Sequence, residues 1–244
     1  MGEIPQNDES ESRSSYTSWI SETSDRQGRE RGLETYQDYL GIKKEDLRGK
    51  DILDLGSGET ERFSRELKAA GIDANVICVN PDYSIERFRK ANSALPDWQK
   101  KSVAAIAQEL PFKDECFDEV FAVYSITVFA SPSKIGGNIE ATKRWLSEIV
   151  RVLKPGGEAR IMPLRSFPKS EEQIWQEDYG PLLEDLKKQG LDVSVELIRY
   201  KDIGHTMSSS SHMNKDGVIE EFTEYVGDKI IDARAVIKKP HEEQ

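Results

Sequence analysis

The hydrophobic positions of this 244-residue chain fall into short apolar runs that alternate with segments of helical spacing. Runs such as Ile52–Leu55 and Val76–Val79 are typical of buried strands. Apolar residues three or four positions apart, such as Phe63, Leu67 and Ala70, predict an amphipathic helix. Strands are predicted at Asp51–Leu55, Ala74–Val79, Ser102–Ala107, Phe117–Tyr124, Glu158–Met162, Asp192–Ile198 and Ile231–Lys238. Helices are predicted in the Tyr16–Leu40 region and at Thr60–Ala70, Ser84–Ala91, Ile139–Leu153, Glu171–Gln189 and Gly217–Val226.

This alternation predicts an α/β fold. Strands separated by helices form a parallel sheet that is covered on both faces, so the expected architecture is a Rossmann-like, doubly wound, mostly parallel seven-stranded sheet. A polar stretch, Lys201–Asn214, stands where a crossover helix would join the final two strands, which indicates an antiparallel last strand. In such sheets ligands bind beyond the carboxyl ends of the strands.

Composition divides the chain into a polar tail and one domain. Residues 1–14 are rich in Ser, Glu and Asn and are expected to be disordered. Residues 15–244 are expected to form one domain, with a helical lid at 15–48, a ligand-binding core at 50–162 and a C-terminal part at 163–244 that completes the sheet and supplies a substrate loop. Candidate lid elements are Tyr16, Trp19, Tyr36, the loop Phe129–Asn138 and the loop holding His205.

The charge and cysteine content exclude several classes of function. The net charge is −11, whereas a protein that grips nucleic acid usually presents a basic face, so no nucleic-acid partner is expected. No apolar run approaches the roughly 20 residues that span a membrane. Cys78 and Cys116 give neither a disulfide framework nor a zinc pattern, which favours a reducing cytoplasm and predicts no metal site.

The segment Lys50–Thr60 is the most informative stretch of the chain. It predicts a buried strand, a tight turn at Gly56 and Gly58, and the start of a helix. Such a unit brings backbone N–H groups and a helix N-terminus to one point, which suits a nucleotide-like ligand. The dinucleotide fingerprint needs a third glycine where this chain has Glu61, so the loop disfavours a pyrophosphate.

The pattern Asp54-x-Gly56-x-Gly58 resembles motif I of the class I S-adenosylmethionine methyltransferases, with a core of the methyltransferase type 11 kind. The segment Ile106–Asp118 resembles the family's Ala-x-x-Leu-Pro-Phe-x-x-x-x-Phe-Asp pattern. The run Arg151–Gly157 is similar to a structural family mark, which ends a helix and reverses the chain. Together these marks cover about residues 50 to 162.

The resemblance implies that S-adenosylmethionine is the cofactor. The implied cofactor-binding residues are Asp54, Gly56, Ser57, Gly58, Asn80, Pro81, Asp82, Ala107, Gln108 and Tyr124. The family holds the ribose with a carboxylate at the end of the second strand. Here that position is Asn80 and an acid follows at Asp82, which leaves open which of the two holds the ribose.

The resemblance further implies an enzyme that moves a methyl group from S-adenosylmethionine to a small-molecule acceptor by in-line displacement. His205 and His212 are weak candidates for a general base, since their polar stretch also reads as a solvated loop. One alternative is a non-catalytic protein that binds the cofactor as a regulatory subunit or scaffold, which Asn80 and the missing obvious base motivate. A nicotinamide-dependent oxidoreductase would need the third glycine and a ribose-binding acid.

Overall fold

In the computed structural model, the described residues are 31–58, 60–84, 102–129, 138–164, 174–203, 207–213, 219–225, 228 and 230–241. The strands are β1 (Asp51–Leu55), β2 (Asn75–Val79), β3 (Ser102–Val103), β4 (Phe117–Val123), β5 (Leu153–Met162), β6 (Asp192–Arg199), β7 (Met207–Met213), β8 (Ile219–Tyr225) and β9 (Ile230–Lys238). The helices are α1 (Leu33–Leu40), α2 (Arg62–Ala69), α3 (Ile126–Phe129), α4 (Ile139–Val152), α5 (Ile174–Asp178) and α6 (Gly180–Lys188). Arg31–Gln244 form one compact unit.

Seven strands form the main sheet, in the order β3-β2-β1-β4-β5-β9-β6. The pairings from β3 through to β5 are parallel, and β9 runs antiparallel to both β5 and β6. Because β1 lies at the centre with β2 and β4 on either side, the loops that follow these three strands meet at one edge. The predicted fold class is confirmed, including the antiparallel last strand.

Helices cover both faces of the sheet because alternate strand residues point to opposite sides. On one face Leu53 and Leu55 of β1 pack in a cluster with Trp145 and Ile149 of α4. On the other face Ile52 packs in a second cluster, whose members include Phe63 and Leu67 of α2 and Tyr36 of α1. Asp54 is two residues after Ile52 on β1, so the two side chains point to the same face of the sheet. This is the face that α1 and α2 cover.

One predicted helix is wrong. Residues 219–225 of the predicted helix Gly217–Val226 form β8, which pairs antiparallel with β7 in seven-residue register from Met207–Tyr225 to Met213–Ile219. The apolar residues Ile219, Phe222 and Tyr225 lie three apart, and this spacing suggested a helix. The aromatic and β-branched content of the segment favours a strand once a partner strand is available.

Other boundaries also differ. The predicted helix Glu171–Gln189 is divided into α5 and α6 among the described residues, with Pro181 in the first turn of α6. The strand predicted at Ser102–Ala107 ends at Val103. The predicted tail, Tyr16, Trp19 and most of the predicted helix Ser84–Ala91 lie outside the described residues. Within the described part of the chain, no helix has the length and apolar character that a membrane crossing requires.

Candidate functional site

The glycine loop follows β1 and lies between the carboxyl ends of β2 and β4. Gly56 adopts φ +76°, and a Cβ there would lie 2.2 Å from the Cβ of Ser125 just beyond β4. Gly58 adopts φ +77°, and no heavy atom of the described residues, its chain neighbours aside, would lie within 4 Å of a Cβ built there. Gly56 is therefore needed for the close approach of two loops, whereas Gly58 borders open space in which a ligand can lie.

Asp54 is fully buried at the end of β1. The hydroxyl of Tyr36 donates to its Oδ1 at 2.6 Å, and the Tyr36 ring stacks on Phe63 at 4.1 Å. Among the described residues, Oδ2 of Asp54 has no hydrogen-bond partner. Burial raises the pKa of this carboxyl to about 7, against the hydrogen bond from Tyr36 and the charge of Arg31, which favour ionisation. The site thus holds a buried acid with one free oxygen, which suits a cationic ligand group.

The turn after β2 holds three predicted residues, Asn80, Pro81 and Asp82. The Asn80 Oδ1 accepts from the backbone N–H of Asp82 at 3.0 Å, and its Nδ2 lies 3.4 Å from the carbonyl oxygen of Gly58. Both ends of the Asn80 amide are thus engaged within the protein. Asp82 is 9% exposed and lies beside it.

Ala107 and Gln108 lie in the loop after β3, and the loop is fixed from α4 by two charged residues. Glu148 accepts from the backbone N–H of Leu110 at 2.8 Å. Arg151 donates to the carbonyl oxygens of Leu110 at 3.1 Å and Phe112 at 2.8 Å, and it pairs with Glu148 at 2.7 Å. Backbone groups that have no strand partner are thereby satisfied, which holds the loop in one conformation.

Tyr124 follows β4 and adopts φ +49°, a conformation that costs a non-glycine residue free energy. The Arg31 guanidinium lies 4.6 Å from the centre of its ring, and one Arg31 nitrogen donates to the carbonyl oxygen of Val123 at 3.2 Å. The Tyr39 ring packs edge-on against Tyr124 at 5.7 Å. The end of β4 therefore already accommodates a cation, through an aromatic face and a backbone carbonyl.

The structure thus brings most of the predicted cofactor residues to one edge of the sheet, on the loops that follow β1, β2, β3 and β4. The two candidate histidines are not among the residues gathered on these loops. His205 lies outside the described residues, and His212 lies on β7, paired in register with Glu220. Among the residues that the structure describes, no group of three or more His, Cys, Asp or Glu side chains is arranged to hold a metal ion.

Sequence reasoning missed several residues that shape this edge. Tyr36 was predicted as part of a lid, but it is buried in the core and contacts Asp54. Tyr83 contacts the glycine loop and Arg151 contacts the loop after β3, and no local sequence pattern predicts either contact. Glu61 stood out only as the residue that breaks the glycine pattern, and it adopts the left-handed φ of +52° that a glycine there would favour.

Residues 53–161 match a family model described as a methyltransferase domain. Over this stretch the chain is similar to methyltransferase domains. A sterol 4-C-methyltransferase of Caenorhabditis elegans is 30% identical over 141 residues, which are 55% of this chain and 37% of that protein. The chain spans 37%, 44% and 62% of the lengths of the first three curated relatives that it matches.

Two solved structures share the methyltransferase fold. One is a chain of the complex between the Haloferax volcanii Trm112 methyltransferase activator and a methyltransferase, with a TM-score of 0.56, 17% identity, and coverage of 93% of this chain and 98% of that one. The other is the 1,6-didemethyltoxoflavin-N1-methyltransferase of Burkholderia thailandensis with 1,6-didemethyltoxoflavin and S-adenosylhomocysteine bound. Its TM-score is 0.53 at 15% identity, with coverage of 98% of this chain and 93% of that chain.

Proposed function

We propose that this protein is a class I S-adenosylmethionine-dependent methyltransferase that moves a methyl group to a small organic acceptor. Two observations support the proposal together. Space for a ligand lies beside Gly58, and the buried carboxylate of Asp54 has an oxygen, Oδ2, with no hydrogen-bond partner among the described residues. An ammonium group suits that oxygen, since a charge-assisted hydrogen bond would satisfy it. The residues of the site therefore fit the methionine part of the cofactor.

The proposed cofactor residues divide by loop. Asp54, Gly56, Ser57 and Gly58 would hold the methionine part, Asn80, Pro81 and Asp82 the ribose, Ala107 and Gln108 the adenine, and Tyr124 would border the reacting centre. We assign the ribose contact to Asp82 rather than Asn80, because a carboxylate accepts stronger, charge-assisted hydrogen bonds from the two ribose hydroxyls than an amide does. The proposed division of the domain keeps a core at 50–162 and a C-terminal part at 163–244, while within the proposed lid at 15–48 the side chain of Tyr36 belongs to the core.

When bound, the cofactor supplies a methyl group that is already activated for in-line displacement. The work left to the protein is to orient the acceptor and exclude water. The proposed acceptor is a small molecule. The name of one relative gives a sterol, and the name of one solved structure of the same fold gives 1,6-didemethyltoxoflavin, which supports this class. The proposed site of action is the cytoplasm. His205 and His212 stay as proposed general bases for an acceptor that must lose a proton.

The decisive experiment compares two glycines by calorimetric titration with S-adenosylhomocysteine. Gly58 and Gly71 have similar positive φ angles, +77° and +70°, and both have open space beyond the Cα. Alanine therefore costs similar backbone strain at either position, but only at Gly58 does it enter the proposed ligand space. We expect Gly58→Ala to weaken binding by at least about tenfold, which is roughly 1.4 kcal/mol, and Gly71→Ala to leave it unchanged.

Two further outcomes would redirect the assignment. Titration with NAD in parallel should give no heat, and binding of NAD in place of S-adenosylhomocysteine would contradict the proposal. If the cofactor binds but a panel of small-molecule acceptors receives no labelled methyl group, the non-catalytic alternative gains support.

A further inference from the structure

A tyrosine in the turn after β2 forms hydrogen bonds with the glycine loop that follows β1. Tyr83 lies in the 3-10 turn Pro81–Ser84 after β2 and is 5% exposed. Its hydroxyl donates to the carbonyl oxygen of Gly58 at 2.9 Å and lies 2.9 Å from the Oγ of Ser57. One phenol thus contacts two consecutive residues of the loop.

These contacts fix the orientation of the Gly58 peptide. Glycine populates positive and negative φ about equally, so an isolated loop of this sequence would sample many conformations. Tyr83 holds the Gly58 carbonyl toward the turn after β2, and the Asn80 amide lies 3.4 Å from the same oxygen. A Cβ built on Gly58 would meet no atom of the other described residues within 4 Å, so that direction is open to a ligand.

A second anchor stands where the dinucleotide pattern has its third glycine. Glu61 is 3% exposed and adopts φ +52°. Its carboxyl accepts a hydrogen bond from the Ser102 Oγ at the start of β3. A glutamate in this conformation costs backbone free energy that a glycine would avoid. Unlike a glycine, however, the glutamate makes a side-chain contact with β3.

We propose that Tyr83 and Glu61 are positioning residues that hold the glycine loop in the conformation that binds the cofactor. They tie the loop after β1 to the turn after β2 and to β3. Neither residue needs to touch the cofactor. They keep the loop ordered in the unliganded protein. The free energy of ordering the loop is therefore not subtracted from the free energy of binding. This inference rests on the proposed function.

The first test replaces Tyr83 with phenylalanine, which keeps the ring and removes the hydroxyl. Gly58 then loses a partly buried hydrogen bond, and we expect the Kd for S-adenosylhomocysteine to rise about tenfold by calorimetry. The matched control is Tyr179→Phe. Tyr179 is buried just before α6 and its ring packs against Trp145 of α4, so its variant should bind as the parent protein does.

Amide hydrogen exchange separates positioning from general weakening. In the unliganded Tyr83→Phe protein, faster exchange should be confined to the segment 56–61, while the strands keep their protection. Faster exchange throughout the sheet would identify a purely structural role and overturn the inference, as would an unchanged Kd.

Glu61 offers a second pair of variants. Glu61→Gln keeps a hydrogen-bond acceptor for Ser102 and should bind within about twofold of the parent. Glu61→Gly relieves the backbone strain but removes the anchor, so its affinity should fall several-fold while its thermal stability is maintained. Tight binding by Glu61→Gly would contradict the inference.

Failure of the inference and failure of the proposed function are distinguishable. If the parent protein binds no S-adenosylhomocysteine, the proposed function fails. If the parent binds and Tyr83→Phe and Glu61→Gly bind equally well, only the positioning role is wrong.

Discussion

Asp54 combines complete burial with a place in the proposed cofactor site. A carboxyl that has left water prefers the neutral form, and among the described residues the Tyr36 hydroxyl and the Arg31 guanidinium favour its charge. The protein therefore retains a buried acid that weakens its own folded state near neutral pH. Such a cost is common at functional sites, where a ligand provides the missing partner.

This burial makes a prediction about pH. Asp54 has a pKa of about 7 in the folded protein against 3.8 ordinarily, so between these values the folded state holds a proton that the unfolded chain has released. Its stabilising contribution is present at low pH and is lost as the pH rises through 7, at a cost of roughly 4 kcal/mol when it is fully ionised. Asp54→Asn cannot ionise and should be more stable than the parent protein at pH 8.

Urea unfolding at pH 5, 6, 7 and 8 measures this difference. The gain from Asp54→Asn in the free energy of unfolding should shrink toward pH 5, where Asp54 is protonated in the parent. Asp73→Asn, in the exposed turn before β2, should follow the parent at every pH. A parent protein that equals or exceeds Asp54→Asn in stability at pH 8 would contradict the prediction.

At the scale of elements, α4 has a second function besides covering the sheet. Trp145 and Ile149 pack on one face of the sheet, while Glu148 and Arg151 leave the helix to hold the loop after β3. The arginine of the run Arg151–Gly157, which carries no chemistry in the sequence pattern, is therefore the residue that orders the loop carrying Ala107 and Gln108.

We expect Arg151→Met to weaken S-adenosylhomocysteine binding several-fold and to lower the melting temperature. Its removal leaves the carbonyl groups of Leu110 and Phe112 without this donor, and Glu148 without its ion-pair partner. Arg144→Met, an exposed position on the same helix, is the control and should change neither quantity. Calorimetry at a temperature where both variants are folded separates the two effects. An unchanged affinity in Arg151→Met would mean that the loop is ordered without this contact.

The elements also show how far sequence reasoning reaches. The main-sheet strands were predictable because apolar runs such as Ile52–Leu55 report burial directly. The pairing of β7 with β8 was not, since residues 207–213 are mostly polar and a strand pairing depends on a partner elsewhere in the chain. The glycine loop was predictable from local backbone requirements. The contacts of Tyr83 and Arg151 were not, because they join residues 25 and 41 positions apart.

At the scale of the molecule, the loops that we propose to bind the cofactor follow four different strands of one sheet. β1, β2, β3 and β4 are adjacent in the order β3-β2-β1-β4, so their loops can be brought together only when the sheet is formed. The site is therefore a property of the folded unit, and the unfolded chain has no equivalent of it. A ligand that binds there must stabilise the whole fold by mass action.

This linkage gives a prediction that needs no knowledge of the acceptor. S-adenosylhomocysteine at one hundred times its Kd should add about 2.7 kcal/mol to the free energy of unfolding. For a chain of this size that corresponds to a rise of about 5–10 °C in melting temperature, followed by far-UV circular dichroism. The rise should be smaller for Gly58→Ala at the same ligand concentration and close to the parent's for Gly71→Ala. NAD should give no rise, and an equal rise with NAD would place the stabilising contacts in the adenosine portion that both ligands share rather than at Asp54.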